Sequence, residues 1–410
     1  MTSVAERARG LAAGRERSLA ILAGLIALAL LYPSIVEPLQ DLPLVGDFVP
    51  GVGSLVVMLA FTTMAVGLNI VVGYAGLLDL GYVAFYAAGA YTAGWFASQQ
   101  FDQITFHFGS VGVADTLPGI HLSMWLVLLI AGLFTLVVGI LIGLPTLRLR
   151  GDYLAIVTLG FGEIIPQVVR NADEDGIGFD LTHGTFGIAP IDSLGFGSLG
   201  ESLGLPESFQ ASSDRAKWFY LTAVAILLVT VFVSVRLRDS RLGRAWIAIR
   251  EDETAAAAMG VPLMRTKTWS YAIGAFFGGV AGAFYASFKS GAFPADFYFN
   301  ISVFLLCMVI LGGMGSVWGV ILGGMILGYL NIEGLATIGS KIQDAGLDFD
   351  PTKYQFGIYG VIIVAMMLFR PTGLIPERRH KIELEEGVHD TPLYDVRTEG
   401  TLTDRDRHGD

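Results

Sequence analysis

The 410-residue sequence has few charged residues, and this shortage excludes an ordinary soluble domain. Asp, Glu, Lys and Arg make up 15% of the chain, whereas 53% of its residues are hydrophobic. Soluble domains usually carry about 25% charged residues. Apolar segments that are long enough to cross a bilayer recur along the chain, so the sequence predicts an all-α integral membrane protein.

Cysteine is almost absent, and Cys307 is the only one. A single thiol in an apolar run cannot form an internal disulfide, so core packing is its expected role. The six histidines are scattered without the spacing of a metal site. The chain also lacks a Gly-x-x-x-x-Gly-Lys-Ser/Thr phosphate loop, a His-Glu-x-x-His zinc helix and a Gly-x-Ser-x-Gly elbow. No metal, cofactor or enzymatic activity is therefore expected on this chain.

Basic residues define the expected orientation in the membrane. Four arginines precede the apolar run Leu19–Leu31, and no small-residue cleavage site follows it. We therefore expect residues 1–17 to be a cytoplasmic arm and the run to be a retained first helix. Residues 18–376 would form a membrane domain with about ten transmembrane segments. Residues 377–410 would form a polar, disordered cytoplasmic tail, so that both termini are cytoplasmic.

Four loops without a basic excess are expected outside the cell, at residues 37–51, 98–123, 171–216 and 331–353. Residues 171–216 are rich in Gly, Ser and acids, and only Arg215 is basic. This region is too polar to span the bilayer, and it either meets a soluble partner, closes a pathway or is an inert surface loop. Residues 331–353 are expected to be another polar loop. Together with the tail, residues 171–216 carry most of the net charge of −11.

Glycine interrupts two apolar segments, Val72–Ala97 and Ser302–Leu330, which are too short for two complete spans each. Paired glycine-broken segments in two halves of a chain indicate a transport pathway, because irregular backbone at membrane depth must line a cavity or be buried in protein. The alternative is that the glycines, 52 in all, only allow helices to cross closely.

A few polar side chains lie at membrane depth. Glu163 is the one ionisable residue well inside an apolar segment, and it is either a proton or substrate site or a structural hydrogen-bond partner. Asp79 lies in the first glycine break, where capping the following half-helix is its favoured role. The remaining polar groups are useful for binding but are also common in helix packing: Asn69, Tyr82, Tyr86 and Thr158.

Residues 236–267 form the most basic loop of the chain, which predicts a cytoplasmic location. Leu242, Ala245, Trp246 and Ile249 form an apolar stripe at helical spacing. After them, acidic residues precede an alanine run, and Gly260 and Pro262 end it, which predicts a short helix at about 254–259. The loop is either an ordinary basic connection or a docking element for a cytoplasmic partner.

Five blocks of sequence together resemble the permease subunits of branched-chain amino-acid ABC transporters, most closely the larger of the two permeases. The blocks occur in the family's order and cover most of residues 54–376. They are GLNIVVGYAGLLDLGYVAFYAAGAY at 67–91, LRGDYLAIVTLGFGE at 149–163, RAWIAIREDE at 244–253 continuing through AAMG at 257–260, LGGMGS at 311–316, and LFRPTGLI at 368–375.

The resemblance implies a multi-pass subunit of the plasma membrane that works with a second permease, two cytoplasmic ATPases and an extracytoplasmic binding protein. ATP and Mg would bind to the ATPases, lipid would surround the subunit, and no nucleic acid is expected. The short cytoplasmic helix would be the coupling element that docks on an ATPase. Its implied residues are Glu251, Asp252, Glu253, Ala255, Ala256 and Gly260. The implied pathway residues are Asn69, Gly76, Asp79, Tyr82, Thr158, Glu163, Gly313, Gly315 and Ser316.

Several alternatives stay open at this stage. Permeases for urea or short amides share the architecture, and block 151–163 is more similar to the amino-acid branch without fixing the substrate. A proton-coupled secondary transporter would use Glu163 and leave the cytoplasmic helix without a purpose. A membrane scaffold or receptor would leave the paired glycine breaks unexplained. Where relatives often have Thr-Gly-Gly outside the membrane, this chain has Thr182-His183-Gly184.

Overall fold

The computed structural model describes residues 24, 27, 29–42, 46–149, 151–173, 176, 178–344, 346 and 349–376. The predicted cytoplasmic arm (1–17) and the predicted tail (377–410) lie outside the described residues.

The described chain is predominantly helical, as the sequence predicts. Its helices are α1 (residues 29–40), α2 (Val52–Asn69), α3 (Val83–Phe96), α4 (Met124–Thr146), α5 (Asp152–Arg170), α6 (Ser198–Leu203), α7 (Arg215–Asp239), α8 (Arg241–Glu251), α9 (Glu253–Ala258), α10 (Leu263–Lys289), α11 (Phe299–Gly312), α12 (Val317–Tyr329), α13 (Leu335–Asp344) and α14 (Gln355–Phe369). Three short strands, β1 (Ala97–Ser98), β2 (Thr105–Phe108) and β3 (Gly119–Leu122), form a small sheet in the order β1-β3-β2.

Eight helical stretches among the described residues are long and apolar enough to cross a membrane. They are Gly46–Tyr74, Met124–Thr146, Asp152–Arg170, Arg215–Asp239, Leu263–Lys289, Pro294–Gly312, Val317–Asp344 and Pro351–Phe369. Helix α3 has 14 residues and is shorter than the roughly 20 residues that a bilayer core requires. The fold class is therefore confirmed, while the count of about ten crossings and the sidedness of the termini stay predictions.

Helices α2 and α10 form the centre of the bundle. Helix α10 packs along α4, α3 and α2, and α2 also contacts α7 and α12. Glycine allows these helices to approach closely: a Cβ added at Gly89 of α3 would overlap the Gly279 carbonyl of α10, and one at Gly282 would overlap the Tyr86 carbonyl. Dispersion contacts between close backbones hold helices together where lipid supplies no hydrophobic drive.

Helices α2 and α12, which each adjoin a glycine break, both continue into a π-turn. Helix α2 continues into a π-turn at Ile70–Tyr74, and α12 continues into another at Leu330–Gly334 before α13 begins. The second continuation corrects the expected loop at residues 331–353, because helix extends to Asp344. It also corrects the expected shortness of Ser302–Leu330, since Val317–Asp344 is long enough to span by itself. A polar helix end persists because it can leave the bilayer while it keeps its backbone bonds.

Residues of the 171–216 region fold against the ends of the membrane helices. The Trp95 indole donates a hydrogen bond to the Leu181 carbonyl (2.8 Å), and the Trp125 indole donates to the Gly195 carbonyl (2.8 Å). The backbone N–H of Asp192 donates to the Ala97 carbonyl at strand β1 (2.8 Å). These bonds make the described part of the region a packed layer over one end of the bundle.

The peripheral helices expose apolar faces. Tyr359 is the one buried residue of α14 among the described positions, and Val361, Val364 and Leu368 on this helix are 66–74% exposed. Helix α4 likewise exposes Leu133 and Leu141. Such faces are expected where a membrane helix contacts lipid or a neighbouring subunit.

Candidate pathway and coupling site

The first glycine break, residues 73–81, begins in the π-turn of α2 and continues towards α3 through non-helical backbone. Asp79 is fully buried, and its Oδ1 accepts a hydrogen bond from the Gly81 N–H (2.9 Å). The Leu80 N–H donates to the Thr158 hydroxyl of α5 (3.0 Å), and the Val83 N–H donates to the Ser302 hydroxyl of α11 (2.9 Å). Side chains of α5 and α11 therefore satisfy two of the N–H groups at this break.

Tyr82, at the start of α3, fixes the break to α10. Its hydroxyl is fully buried and donates to the Gly274 carbonyl (2.8 Å). Gly67 of α2 leaves room for this hydroxyl, because a Cβ there would overlap it. Tyr86, one helical turn further on, is also buried and packs against Phe297 (ring centroids 5.0 Å apart).

Asn69 joins the two glycine breaks. It is fully buried at the end of α2, and its Oδ1 accepts a hydrogen bond from the Gly315 N–H (2.9 Å) in the second break. A Cβ at Gly73 would overlap Asn69 Oδ1 and approach Gly315 N to 2.5 Å, so the three groups form one tight junction. The two breaks, far apart in sequence, therefore meet in space.

The second break is held from two sides. Gly313 (φ +112°) and Gly315 (φ +87°) adopt backbone conformations that favour glycine, and the Ser316 hydroxyl accepts the Gly319 N–H (3.2 Å) to cap α12. The segment after α14 pairs with the break. The Leu374 N–H donates to the Leu311 carbonyl (3.0 Å), and the Ile375 N–H donates to the Gly312 carbonyl (3.1 Å).

Glu163 has a different environment from the other candidates. It lies on α5 and is exposed in this chain, whereas Thr158 of the same helix is fully buried. Helix α5 is strongly amphipathic, with Tyr153, Ile156 and Ile164 also exposed. Glu163 therefore faces out from the subunit, towards lipid or a neighbouring chain.

The predicted pathway residues thus fall into two groups. Most are enclosed within the bundle, namely Asn69, Asp79, Tyr82, Thr158, Gly313, Gly315 and Ser316. Gly76 and Glu163 reach the surface, as do Leu78 (39% exposed), Met314 (44%) and Trp318 (45%). The last three were not singled out from sequence, because apolar residues in an apolar segment carry no chemical signal.

The cytoplasmic loop predicted at 236–267 is folded into two helices. Ser240 caps α8 by accepting the Gly243 N–H (3.2 Å). The predicted apolar stripe packs inward: Trp246 is fully buried and donates its indole N–H to the Thr266 carbonyl (2.8 Å), and Ile249 is 5% exposed. Helix α8 is therefore fixed to the start of α10.

The short helix predicted at about 254–259 is α9, Glu253–Ala258. Asp252 caps it, because its Oδ1 accepts the N–H groups of Thr254 (2.7 Å) and Ala255 (2.9 Å). Gly260 ends the helix with φ +86°, and no heavy atom beyond its chain neighbours lies within 4 Å of the position that a Cβ would take there. Ala256 is buried against the protein, while Ala255, Glu251 and Asp252 are exposed and Met259 is 86% exposed. The helix therefore projects from the bundle with an apolar tip.

An ion pair anchors α9 at its base. Glu253 Oε2 lies 2.7 Å from the ammonium of Lys267, whose side chain is 4% exposed, while that of Glu253 is 28% exposed. Asp252 is thus the cap and Glu253 the counter-charge, two different roles within one acidic run that sequence alone does not separate.

Arg250, in α8, connects the cytoplasmic loop to the first glycine break. Its Nη1 donates to the Gly73 carbonyl (2.6 Å), and Gly76 packs on its side chain. Among the basic residues of the loop, sequence reasoning did not distinguish this one. The signal available was its place two residues before a helix cap.

An all-α bundle with two glycine breaks that meet in space and a short projecting helix is the form of a polytopic membrane permease. The family model described as "Branched-chain amino acid transport system / permease component" matches residues 52–367. The chain belongs to this permease family. No solved structure matches the chain.

Two curated relatives carry the likeness across most of the chain. The chain is 36% identical over 342 residues to the high-affinity branched-chain amino acid transport system permease protein LivM of Escherichia coli, covering 80% of this chain and 70% of the relative. It is 26% identical over 336 residues to the probable LivM of Methanocaldococcus jannaschii, covering 77% and 90%. A shorter match is to LivH of Escherichia coli, at 30% over 175 residues, covering 42% and 51%.

Proposed function

We propose that this chain is the membrane-spanning subunit of an ATP-driven importer for branched-chain or related apolar amino acids in the plasma membrane. The observation that carries the proposal is α9, because a helix with an exposed apolar tip on a membrane subunit has the form of a docking element. The names of the LivM relatives support the substrate class.

The partners follow from this function. Two cytoplasmic ATPases bind ATP and Mg, and one of them receives α9 of this chain through Ala255, Met259 and the capped acidic turn. A second permease completes the membrane part, and the match to both LivM and LivH supports a pair of related permeases. An extracytoplasmic binding protein delivers the amino acid. This chain performs no reaction.

The pathway in this proposal lies along the surface where residues of the two glycine breaks are exposed. Buried bonds at Asn69, Asp79, Tyr82, Thr158 and Ser316 hold the irregular backbone in shape. The surface groups, Gly76, Leu78, Glu163 and Met314, face a cavity shared with the second permease. A mostly apolar lining with few polar groups suits an apolar side chain, and backbone polar groups near the breaks suit the zwitterion.

The end of the bundle that carries the 171–216 region receives the binding protein. A cavity of about 640 Å³ opens there between residues 98–104 and the loops at 178–183 and 187–189. Its walls include Asp102, Asp180 and His183 and contain no Lys or Arg among the described residues. The departure at Thr182-His183-Gly184 lies at this cavity, so the contact with the binding protein is expected to be specific to this system.

Co-purification in mild detergent followed by reconstitution tests the proposal. We expect two ATPase chains and a second permease to be retained, and leucine uptake into proteoliposomes to require ATP and the binding protein. Gly260→Val and Glu253→Lys should uncouple ATP hydrolysis from uptake, and thermal unfolding of each purified variant measures what the substitution costs the fold. Urea and acetamide serve as competitors, and inhibition by these compounds with no inhibition by valine would replace the substrate class. A chain that purifies alone and transports without ATP would refute the importer.

A further inference from the structure

Arg250 spans the gap between the cytoplasmic helices and the first glycine break. It is partly buried on α8, and its Nη1 lies 2.6 Å from the Gly73 carbonyl oxygen in the π-turn of α2. Gly73 in turn packs on Asn69 Oδ1 and on Gly315 N, at the junction of the two breaks. One side chain therefore connects the cytoplasmic loop to the junction.

The fit around Arg250 is close on a second side. Gly76 has φ +67°, and a Cβ added there would lie 2.8 Å from Arg250 Cγ and 3.1 Å from its Cβ. The arginine stem thus fills the concave side of the break while its charged end holds a carbonyl. A guanidinium-to-carbonyl bond is charge-assisted and stronger than one between neutral groups.

The connection between Arg250 and the docking helix α9 is short. Helix α8 ends at Glu251, Asp252 caps α9, and α9 begins at Glu253, so the single residue Asp252 separates the two helices. Trp246 and Ile249 are buried on the same helix, and Trp246 donates to the Thr266 carbonyl. A displacement of α9 would therefore act on α8 through the single residue Asp252.

We propose that Arg250 is the positioning residue that transmits movement of the docking helix to the first glycine break. This inference rests on the proposed ATP-driven function. A push on α9 tilts α8, and Arg250 then shifts Gly73 and Gly76 together, because it holds the first through a hydrogen bond and the second through contact. The junction at Asn69 and Gly315 carries the shift to the second break.

The test uses the complete importer in proteoliposomes with Arg250→Ala. ATPase subunits should remain bound and ATP hydrolysis should persist, while uptake per ATP hydrolysed falls about tenfold or more, as loss of a charge-assisted bond implies. Arg241→Ala is the matched control, since Arg241 is an exposed arginine at the start of the same helix. Gly76→Ala should reproduce the defect, and Gly204→Ala, at another positive-φ glycine (+69°) with open space, should not.

A second readout separates transmission from mere stability. Leu78→Cys in a Cys307→Ser background places one thiol in the break, at a position that is 39% exposed. With Arg250 present, its labelling by a maleimide should differ between the nucleotide-free and vanadate-trapped states. With Arg250→Ala this difference should vanish although the assembly is intact. If the Arg250→Ala variant does not assemble, Arg250→Lys is measured instead. It should keep only part of the labelling difference that the wild type shows between the two states.

The outcomes distinguish the inference from the function on which it rests. A wild-type assembly that fails to couple uptake to ATP refutes the importer itself. A coupled wild type with unchanged uptake per ATP in both Arg250 variants overturns the inference. Full additivity of the Arg250→Ala and Gly76→Ala defects in the double variant also overturns it, because two groups acting through one contact should not be additive.

Discussion

Glu253 and Lys267 form an ion pair of 2.7 Å across the base of the projecting helix α9. The two partners are not equivalent, because the lysine side chain is 4% exposed and the glutamate side chain is 28% exposed. Glu253 belongs to α9, which projects from the protein, and Lys267 belongs to α10, at the centre of the bundle. The pair thus ties the projecting helix to the most extensively packed one.

The asymmetry of this pair predicts unequal costs of substitution. Glu253→Gln leaves the Lys267 ammonium buried without its counter-charge, and we expect a loss of about 2 kcal/mol, below the 3–5 kcal/mol of fully buried pairs. Lys267→Met leaves a glutamate that water can still reach, so its cost should be smaller. Thermal unfolding of the purified subunit in detergent measures both.

The double variant Glu253→Gln/Lys267→Met supplies the control for this comparison. An apolar residue beside a neutral amide leaves no unpaired charge, so stability should return close to that of the wild type. Equal losses in the two single variants, or a double variant worse than either, would mean that the pair does not stabilise α9.

Asn69→Ala should destabilise the bundle by breaking the junction of the two glycine breaks. It removes the acceptor of the Gly315 N–H in a fully buried place, and an unsatisfied buried donor costs about 1–3 kcal/mol. Asn171→Ala is the control, because the Asn171 amide donates to the Gln167 carbonyl (2.7 Å) at an exposed position. If Asn69→Ala loses no more stability than the control, the bond between Asn69 and Gly315 does not stabilise the bundle.

Much of this architecture follows from local pattern. The all-α class, the existence of α9 and its stop at Gly260 were predicted because apolar length, an acidic cap, alanine and glycine act within a few residues. The extension of α12 through Leu330–Gly334 to Asp344 was missed, because a polar composition outside the membrane does not distinguish helix from loop. Neither the Asn69–Gly315 nor the Arg250–Gly73 bond could be predicted, since each joins segments that only tertiary packing brings together.

The Asp192 carboxylate should make stability pH-dependent. It lies 2.8 Å from His121 Nδ1. Burial raises the pKa of Asp192 above its ordinary value of 3.8, and the hydrogen bond and charge of His121 only partly oppose this. The folded state then binds the proton more tightly than the unfolded chain. This contribution is therefore present below pH 3.8 and is lost as the pH rises through the raised pKa.

Asp192→Asn tests this sign directly. The amide oxygen still accepts from His121, but no buried charge forms, so stability relative to the wild type should rise as the pH increases above about 4. Asp180→Asn is the control for an exposed Asp–His pair, since Asp180 Oδ2 lies 2.8 Å from His183 Nδ1. Melting temperatures over this pH range measure the difference. A stability difference between wild type and Asp192→Asn that does not vary with pH would contradict the argument.

Met259→Asp should weaken retention of the ATPases without changing the subunit itself. Met259 is 86% exposed, and surface substitutions usually change stability by less than about 0.5 kcal/mol. If the exposed Met259 side chain is buried against an ATPase, a charge in its place must be desolvated there, so the amount of ATPase that co-purifies should fall. Leu203→Asp, at a residue 73% exposed in the 171–216 region, is the matched control. Equal retention in both variants would place the ATPase contact elsewhere.

Glu163→Gln separates the importer from a proton-coupled transporter. Glu163 is exposed on α5, and glutamine keeps its size and hydrogen-bonding capacity while removing the titratable proton. If ATP drives uptake, leucine transport by the assembled variant should still require ATP, and its pH profile should match that of the wild type. Asp152→Asn, at the exposed start of the same helix, controls for the loss of one acidic group. Uptake into ATP-free vesicles that follows an imposed proton gradient, and that Glu163→Gln abolishes while Asp152→Asn does not, would assign the driving force to Glu163 and leave α9 without its role.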